Sequence, residues 1–289
     1  MSMEFFALNL LNGIAFGSIL FLLASGLSLA LGVMGILNLA HGALYMVGGF
    51  VGWTIAIQQG WNFWLAVLAG AVTAGLLGLL MERGFFRYLH GRLNEQVLLT
   101  FGLIYILRNL TRWIWGPIPK APFTAPLLSG SFPVGDYTYP FSRIATIFIG
   151  IILAIALWWL LEKTRIGATI RAGMDDKEMA TGLGINVGLV STAVFSLGAF
   201  IAGGAGVIGA HLFGVNLDLG LSVLLYAVII VVVGGMGSIV GALSGSMVIG
   251  IVDSFIKGLN PELGYFSIYL IMIIILLIKP SGLLGKRKI

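Results

Sequence analysis

The sequence predicts an all-α polytopic membrane protein: one transmembrane domain over residues 1–289, with about nine helices (eight to ten). Three observations carry that prediction. Of the residues, 59% are hydrophobic and 9% charged, against about 25% charged in a soluble domain, so the chain has no polar rind for a water-soluble globule. No Asp, Glu, Lys or Arg occurs between Phe5 and Met81, a run with room for about two or three bilayer-spanning helices. The cations that exist fall into clusters, as they do in the loops between spans. Together these exclude a soluble enzyme, a nucleic-acid-binding domain and a disordered chain; the net charge of +5 reads as membrane anchoring, with no nucleic-acid partner. Cysteine is absent, so neither a disulfide framework nor a thiolate metal site exists. Met1-Ser2-Met3-Glu4 has no basic region of the kind that begins a cleavable signal.

Apolar segments lie near 5–31, 43–57, 64–81, 97–115, 141–161, 189–210, 221–234, 238–256 and 265–278. Gly234-Gly235-Met236-Gly237 interrupts what is otherwise one overlong stretch, and glycine clusters break helices. Charge supports the split. Arg83, Arg87 and Arg92 form one basic cluster, Lys163, Arg165, Arg171 and Lys177 a second, and Lys279, Lys286, Arg287 and Lys288 a third. The positive-inside rule sets all three in the cytoplasm, so an even number of crossings must separate Lys177 from Lys279. The N-terminus is then outside and the C-terminus cytoplasmic. Trp61, Trp64, Trp113 and Trp115 fall at the outer surface, and 116–140, with Pro117, Pro119, Pro122, Pro126, Pro133 and Pro140, is expected to be an ordered non-helical loop over the outer mouth.

The 42 glycines fit close helix packing, because lipid offers helices no hydrophobic reason to associate and small residues let backbones approach. Gly13 and Gly17, Gly70, Ala74 and Gly78, and Gly237, Gly241 and Gly245 recur at every fourth position, and Gly203, Gly204, Gly206 and Gly209 crowd another span.

Two stretches carry candidate functional residues. In the cytoplasmic loop 162–190, Asp175 is expected to cap a helix of about two turns, Asp176 to Leu183, with Glu178 reaching back to the cap and Gly182 and Gly184 ending it. Met179 and Leu183 then share a face, and so short a helix wants a partner surface. Glu178-Met179-Ala180 followed by Gly184 resembles the E-A-A-x-x-x-G loop of ABC-importer permeases, with Met179 in place of the first alanine. The resemblance implies that Arg171, Asp175, Glu178, Met179, Ala180, Leu183 and Gly184 couple the chain to a separate ATPase.

The second stretch runs from Gly32 to Met46. Asn38 and His41 are three apart and would share a helical face, while Gly32, Gly35 and Gly42 suggest a bent or broken backbone. Interrupted helices are where transporters build their pathways; the competing reading is a hydrogen-bonded pair that holds the bundle together. Asn38, His41 and Gly42 are the candidate pathway residues. This segment resembles the G-x-x-N-x-A-H-G motif of LivH-type permeases of branched-chain amino-acid ABC importers. The similarity extends to Thr164-Arg165-x-Gly167 with Arg171-Ala172, to Leu183-Gly184-Ile185-Asn186, and to Gly234-Gly235-Met236-Gly237-Ser238 with Gly241-Ala242. It implies a permease subunit in a bacterial cytoplasmic (inner) membrane. Its partners would be a second permease chain (LivM-like, or a copy of itself), two cytoplasmic ATPases that bind ATP and Mg, and an extracytoplasmic binding protein. No cofactor is expected in this chain.

Other polar residues have plainer readings. Asp253 and Lys257 form an i,i+4 pair expected at the interface, Arg108 and Arg112 should snorkel or meet Asp218 or Asp136, and His90 and His211 look like loop or interface residues. No G-x-x-x-x-G-K-[ST] is present, so the chain is not expected to be an enzyme that hydrolyses ATP. The lack of a mid-span acid or lysine argues for an external energy source. The rival functions are a urea or short-amide permease and an ATP-independent carrier or channel. A membrane-embedded enzyme is a further rival, with no visible catalytic constellation.

Overall fold

The computed structural model describes residues 3–284 except 36, 37, 90, 124, 126, 127 and 136. His90, Pro126, Asp136 and the basic tail from Lys286 to Lys288 therefore lie outside the described residues. Among those described, eleven α-helices and one hairpin follow in the order α1 (Met3–Met34), α2 (His41–Trp53), α3 (Phe63–Gly84), α4 (Leu93–Trp115), β1 (Ser131–Val134), β2 (Tyr137–Pro140), α5 (Phe141–Lys163), α6 (Arg165–Asp175), α7 (Lys177–Gly182), α8 (Val187–Phe213), α9 (Leu219–Gly234), α10 (Ile239–Leu259) and α11 (Ser267–Ile278). Each of the nine predicted apolar segments coincides with a helix. Six are long and apolar enough to cross a membrane, and α9 and α11 are shorter apolar helices. α2 has 13 residues and is prolonged by a π-helical turn, Thr54–Gln58.

The core of the bundle is α1, α2 and α8, with α3, α9 and α10 packed on them. α8 is buried without a break from Ile201 to His211, and residues 18–30 of α1 are buried in the same way. The packing is glycine-mediated, as the spacing predicts. Any side chain at Gly203 would collide with Ala74 and the Gly70 carbonyl, one at Gly206 with the Tyr45 carbonyl, and one at Gly13 with the backbone of Ile251. Such contacts bring helix backbones together where lipid supplies no hydrophobic drive. Gly237 departs from expectation: it is a turn residue, not part of a packing stripe. Gly235 (φ 105°) and Gly237 (φ 77°) make the turn, Ser238 then caps α10 by accepting from Gly241 N at 2.9 Å, and Gly234 abuts Gly241. The result is the predicted split into two tightly packed helices.

One end of the bundle carries Arg83, Arg87, Arg92 and Lys163; we call it the basic end. The other carries the proline-rich segment, which is not a plain loop: β1 and β2 pair antiparallel around Gly135 (φ 60°), and Lys120 bridges Val215. His211 is buried near this end (6% exposed), where its Nδ1 pairs with the Phe123 carbonyl and its ring packs on Phe63. It therefore ties the segment to α8 rather than lying in a loop. Trp61, Trp64 and Trp113 are exposed there, while Trp115 turns inward and donates Nε1–H to Thr54 Oγ1 at 2.6 Å.

Candidate functional site

The loop between α5 and α8 is built from caps. Thr164 begins α6 by accepting from Gly167 N at 3.0 Å, and Gly167 lies against the Leu160 and Leu161 carbonyls at the end of α5, where no side chain would fit. Asn186 begins α8 by accepting from Leu189 N at 3.0 Å. Between them, α7 spans Lys177–Gly182. Its N-cap is Asp176, whose Oδ1 accepts from the backbone N–H groups of Glu178 and Met179, both at 2.9 Å. The expected cap, Asp175, is instead the last residue of α6, and the extended backbone that a cap needs falls one residue later, at Asp176. Gly184 (φ 82°) closes α7: Ile185 N donates to Ala180 O and Gly184 N to Thr181 O, both at 3.0 Å, the paired bonds of a glycine C-cap.

Of the expected loop residues, Glu178, Met179 and Ala180 lie on this short helix and Leu183 is its C-cap. Ala180 is buried, at 1% exposure, against the bundle, whereas Met179 (63%) and Leu183 (74%) are exposed. Glu178 is exposed beside them. Arg171 stands apart on α6, paired with Glu162 at 3.7 Å. The arrangement offers an apolar contact surface on a rigid, capped turn.

The second stretch does not form the continuous helix that Asn38 and His41 would need to share a face. α1 ends at Met34, Gly35 takes φ 62°, and α2 starts only at His41. Asn38 precedes the helix, and its Oδ1 accepts from Ala40 N at 3.0 Å. His41 Nε2 meets the Leu23 carbonyl of α1 at 3.0 Å. Leu23 lies eleven residues before the end of α1, a distance of about 16 Å along the axis, so α2 begins well inside the bundle. Gly42 abuts the Gly220 carbonyl, in the first turn of α9. Two short helices thus start side by side, α2 buried and α9 with one side of its first turn exposed at Leu221. Asn38 and His41 are each 2% exposed.

Two cavities open near the hairpin end, and neither touches these residues. One, of about 540 Å³, lies between α4 and the start of α9 and is lined by Arg108, Asn109, Arg112, Asp218 and Ser222 among others; Arg108 meets Asp218 there at 2.6 Å. The other, of about 370 Å³, lies between α1, α5, α8 and α10. Asp253 faces it and is 2% exposed, with Oδ2 taking Lys257 Nζ at 2.7 Å and Oδ1 accepting from Ser267. The pair expected at the interface is therefore half inside the bundle. The sequence reading did not single out Asn9, Asn12 or Arg143, which share this cavity. Their only advance signal was that they are polar residues in apolar spans. A second buried acid, Glu82, is in the last turn of α3 and accepts from Thr192. Among the described residues no group of three His, Cys, Asp or Glu side chains gathers to hold a metal ion.

The chain matches a family model described as the permease component of branched-chain amino acid transport systems, over residues 9–276. It is 31% identical to the high-affinity branched-chain amino acid transport system permease protein LivH of Escherichia coli K12, over 99% of this chain and 97% of that protein. The corresponding protein BraD of Pseudomonas aeruginosa is 27% identical over 97% and 96%, and the ribose import permease RbsC of Escherichia coli K12 is 29% identical over 100% and 89%. A membrane bundle with a capped, apolar-faced loop helix, matched over nearly its whole length, belongs to the permease components of branched-chain amino acid transport systems.

Proposed function

We propose that this permease is the membrane-spanning subunit of an ATP-driven importer for branched-chain or other neutral amino acids in a bacterial cytoplasmic membrane. Its basic end faces the cytoplasm and its N-terminus the outside. It pairs with a second permease chain, related or identical, and with two ATPases that hold ATP and Mg, and it receives solute from an extracytoplasmic binding protein. The observation that carries this reading is α7: a capped turn with Met179 and Leu183 exposed on its outer face. An apolar pair on a helix too short to persist alone suits docking on a partner that closes when it binds nucleotide. The coupling set is then Arg171, Asp175, Glu178, Met179, Ala180, Leu183 and Gly184, with Ala180 seating the helix and Met179 and Leu183 making the contact.

For the translocation route we propose the joint formed by Asn38, His41 and Gly42. Two short helices that begin side by side partway along the bundle are the kind of interruption around which transporters arrange their sites. The hydrogen bond from His41 to Leu23 must open for the joint to meet solute, so the pair latches α2 to α1 in one state and lines the route in the other.

The test is purification in mild detergent followed by uptake in liposomes. Wild type should co-purify with ATPase subunits and accumulate leucine only with ATP, and Met179→Glu with Leu183→Glu should lose both. Steady uptake by the isolated chain without nucleotide would identify an ATP-independent carrier or channel instead. The solute itself is part of the test: urea and short amides, the rival substrates, are offered beside leucine.

A further inference from the structure

Asp253 is a carboxylate buried near the hairpin end of α10, 2% exposed. Tying α10 to α11 does not require a charge; a neutral hydrogen-bonding residue would join Ser267 with less desolvation. The cavity of about 370 Å³ beside it gives the charge a use. Two cations line that cavity, Arg143 and Lys257, against one carboxylate, Asp253. Arg143 donates to the neutral amide oxygen of Asn12, so the wall holds one positive charge more than it holds negative ones. Asn9 and Ser254 add neutral polar groups, the rest of the wall is apolar, with Phe16 and Ile19 on α1, and Lys257 lies over the Phe16 ring at 5.2 Å. A small cavity with a few convergent polar groups on an apolar wall has the build of a ligand site.

We propose that this cavity receives a neutral amino acid with an apolar side chain. The surplus cation takes the carboxylate, through Arg143 with Lys257 beside it. Asp253 and the Asn12 amide oxygen accept from the ammonium, and Phe16 and Ile19 pack on the aliphatic body. This deepens the transport reading and rests on it. It also bears on the choice of solute: urea or a short amide has no carboxylate to neutralise the extra charge and no aliphatic part to cover Phe16, so the cavity favours an amino acid.

The experiment is ATP-driven leucine uptake by the complete transporter in liposomes with saturating binding protein, together with thermal melting of the detergent-solubilised complex without binding protein. Arg143→Gln and Asp253→Asn should each lower uptake by about tenfold or more, the loss of one charge-assisted hydrogen bond, and Arg143→Lys should restore most of it. Leucine should raise the melting temperature of the wild-type complex. Leucinamide and 4-methylpentanoate, each lacking one of the two charges, should not, and the leucine shift should vanish in Arg143→Gln. Arg143 is at the first turn of α5, so this variant keeps the test decisive if Asp253→Asn fails to assemble. A wild-type complex that imports leucine while Arg143→Gln imports it equally well, with the leucine shift intact, overturns this site alone. A wild-type complex that imports no neutral amino acid overturns the transport reading and this proposal with it.

Discussion

At the residue scale, the positions that resemble family motifs, together with the N-cap of α7 beside them, do geometric work. Asp176, Asn186 and Ser238 each accept backbone N–H groups at the start of a helix, and Gly184 and Gly235 take φ values of 82° and 105° that L side chains adopt only with strain. The coupling role proposed for α7 therefore rests on its ends. Asp176→Ala should cost that turn about 1 kcal/mol, leaving expression and membrane insertion near wild type while ATP-driven uptake falls several-fold; uptake at the wild-type rate would remove α7 from the coupling path. Gly184→Val places a β-branched side chain at a positive φ, costing about 1–3 kcal/mol, and should uncouple transport more severely. Charge reversal at Glu178, which is exposed and makes no fold contact comparable to Ala180, should do the same without loss of protein. His41 is the opposite case. Its bond to the Leu23 carbonyl is part of the fold, so His41→Ala discriminates between two roles: uptake falling further than protein level assigns it to the route, and a parallel fall in both assigns it to the bundle alone.

At the scale of elements, the bundle depends on helices touching backbone to backbone, and the consequence is measurable on α8. Gly206→Leu would drive a side chain into the Tyr45 carbonyl and the Gly49 amide; it should abolish monodisperse protein in detergent. Gly173→Ala on α6, where a Cβ would have no neighbour within 4 Å, should be tolerated, because the helix gains from losing a glycine. If the two variants behave alike, close approach is not what holds α2 to α8. These contacts were legible in the sequence because the spacing of small residues is a direct imprint of helix packing. The nine apolar segments and the break at Gly234-Gly235-Met236-Gly237 were legible for a similar reason, since hydropathy and glycine clusters are local properties. What stayed hidden depends on partners far along the chain. The β1–β2 hairpin forms in a proline-rich stretch where pairing, not propensity, decides the structure. His211 reads as a stray histidine until Phe123, 88 residues away, is brought to it. The cap of α7 moved from Asp175 to Asp176 because two adjacent acids are equivalent in sequence and only the end of α6 separates them. Arg143, Asn12 and Asp253 lie on three different helices, so no spacing rule could assemble their cavity.

At the scale of the whole molecule, both the coupling and the solute-binding proposals depend on which way the bundle faces. α7 can meet a cytoplasmic ATPase only if the basic end is inside, and the cavity at Asp253 can receive solute from a binding protein only if the hairpin end is outside. Charge argues for this arrangement: Arg83, Arg87, Arg92 and Lys163 share one end with α6 and α7, and the positive-inside rule sends that end to the cytoplasm. The chain has no cysteine, so single cysteines report sidedness without background. Ser131→Cys on β1, exposed at the hairpin end, should react with a membrane-impermeant maleimide in intact cells. Met236→Cys, 75% exposed in the turn between α9 and α10, and Leu183→Cys, 74% exposed after α7, should react only after the membrane is opened. The pair on the basic end tests more than orientation. Leu183 and Met236 are separated by α8 and α9, so labelling from the same side requires an even number of crossings between them, as the split at Gly235 demands. If Met236→Cys instead labels with Ser131→Cys, α9 does not return to the basic end, and the topology fails there. If Leu183→Cys labels in intact cells, α7 faces away from any cytoplasmic partner, and the ATP-coupled mechanism fails with it.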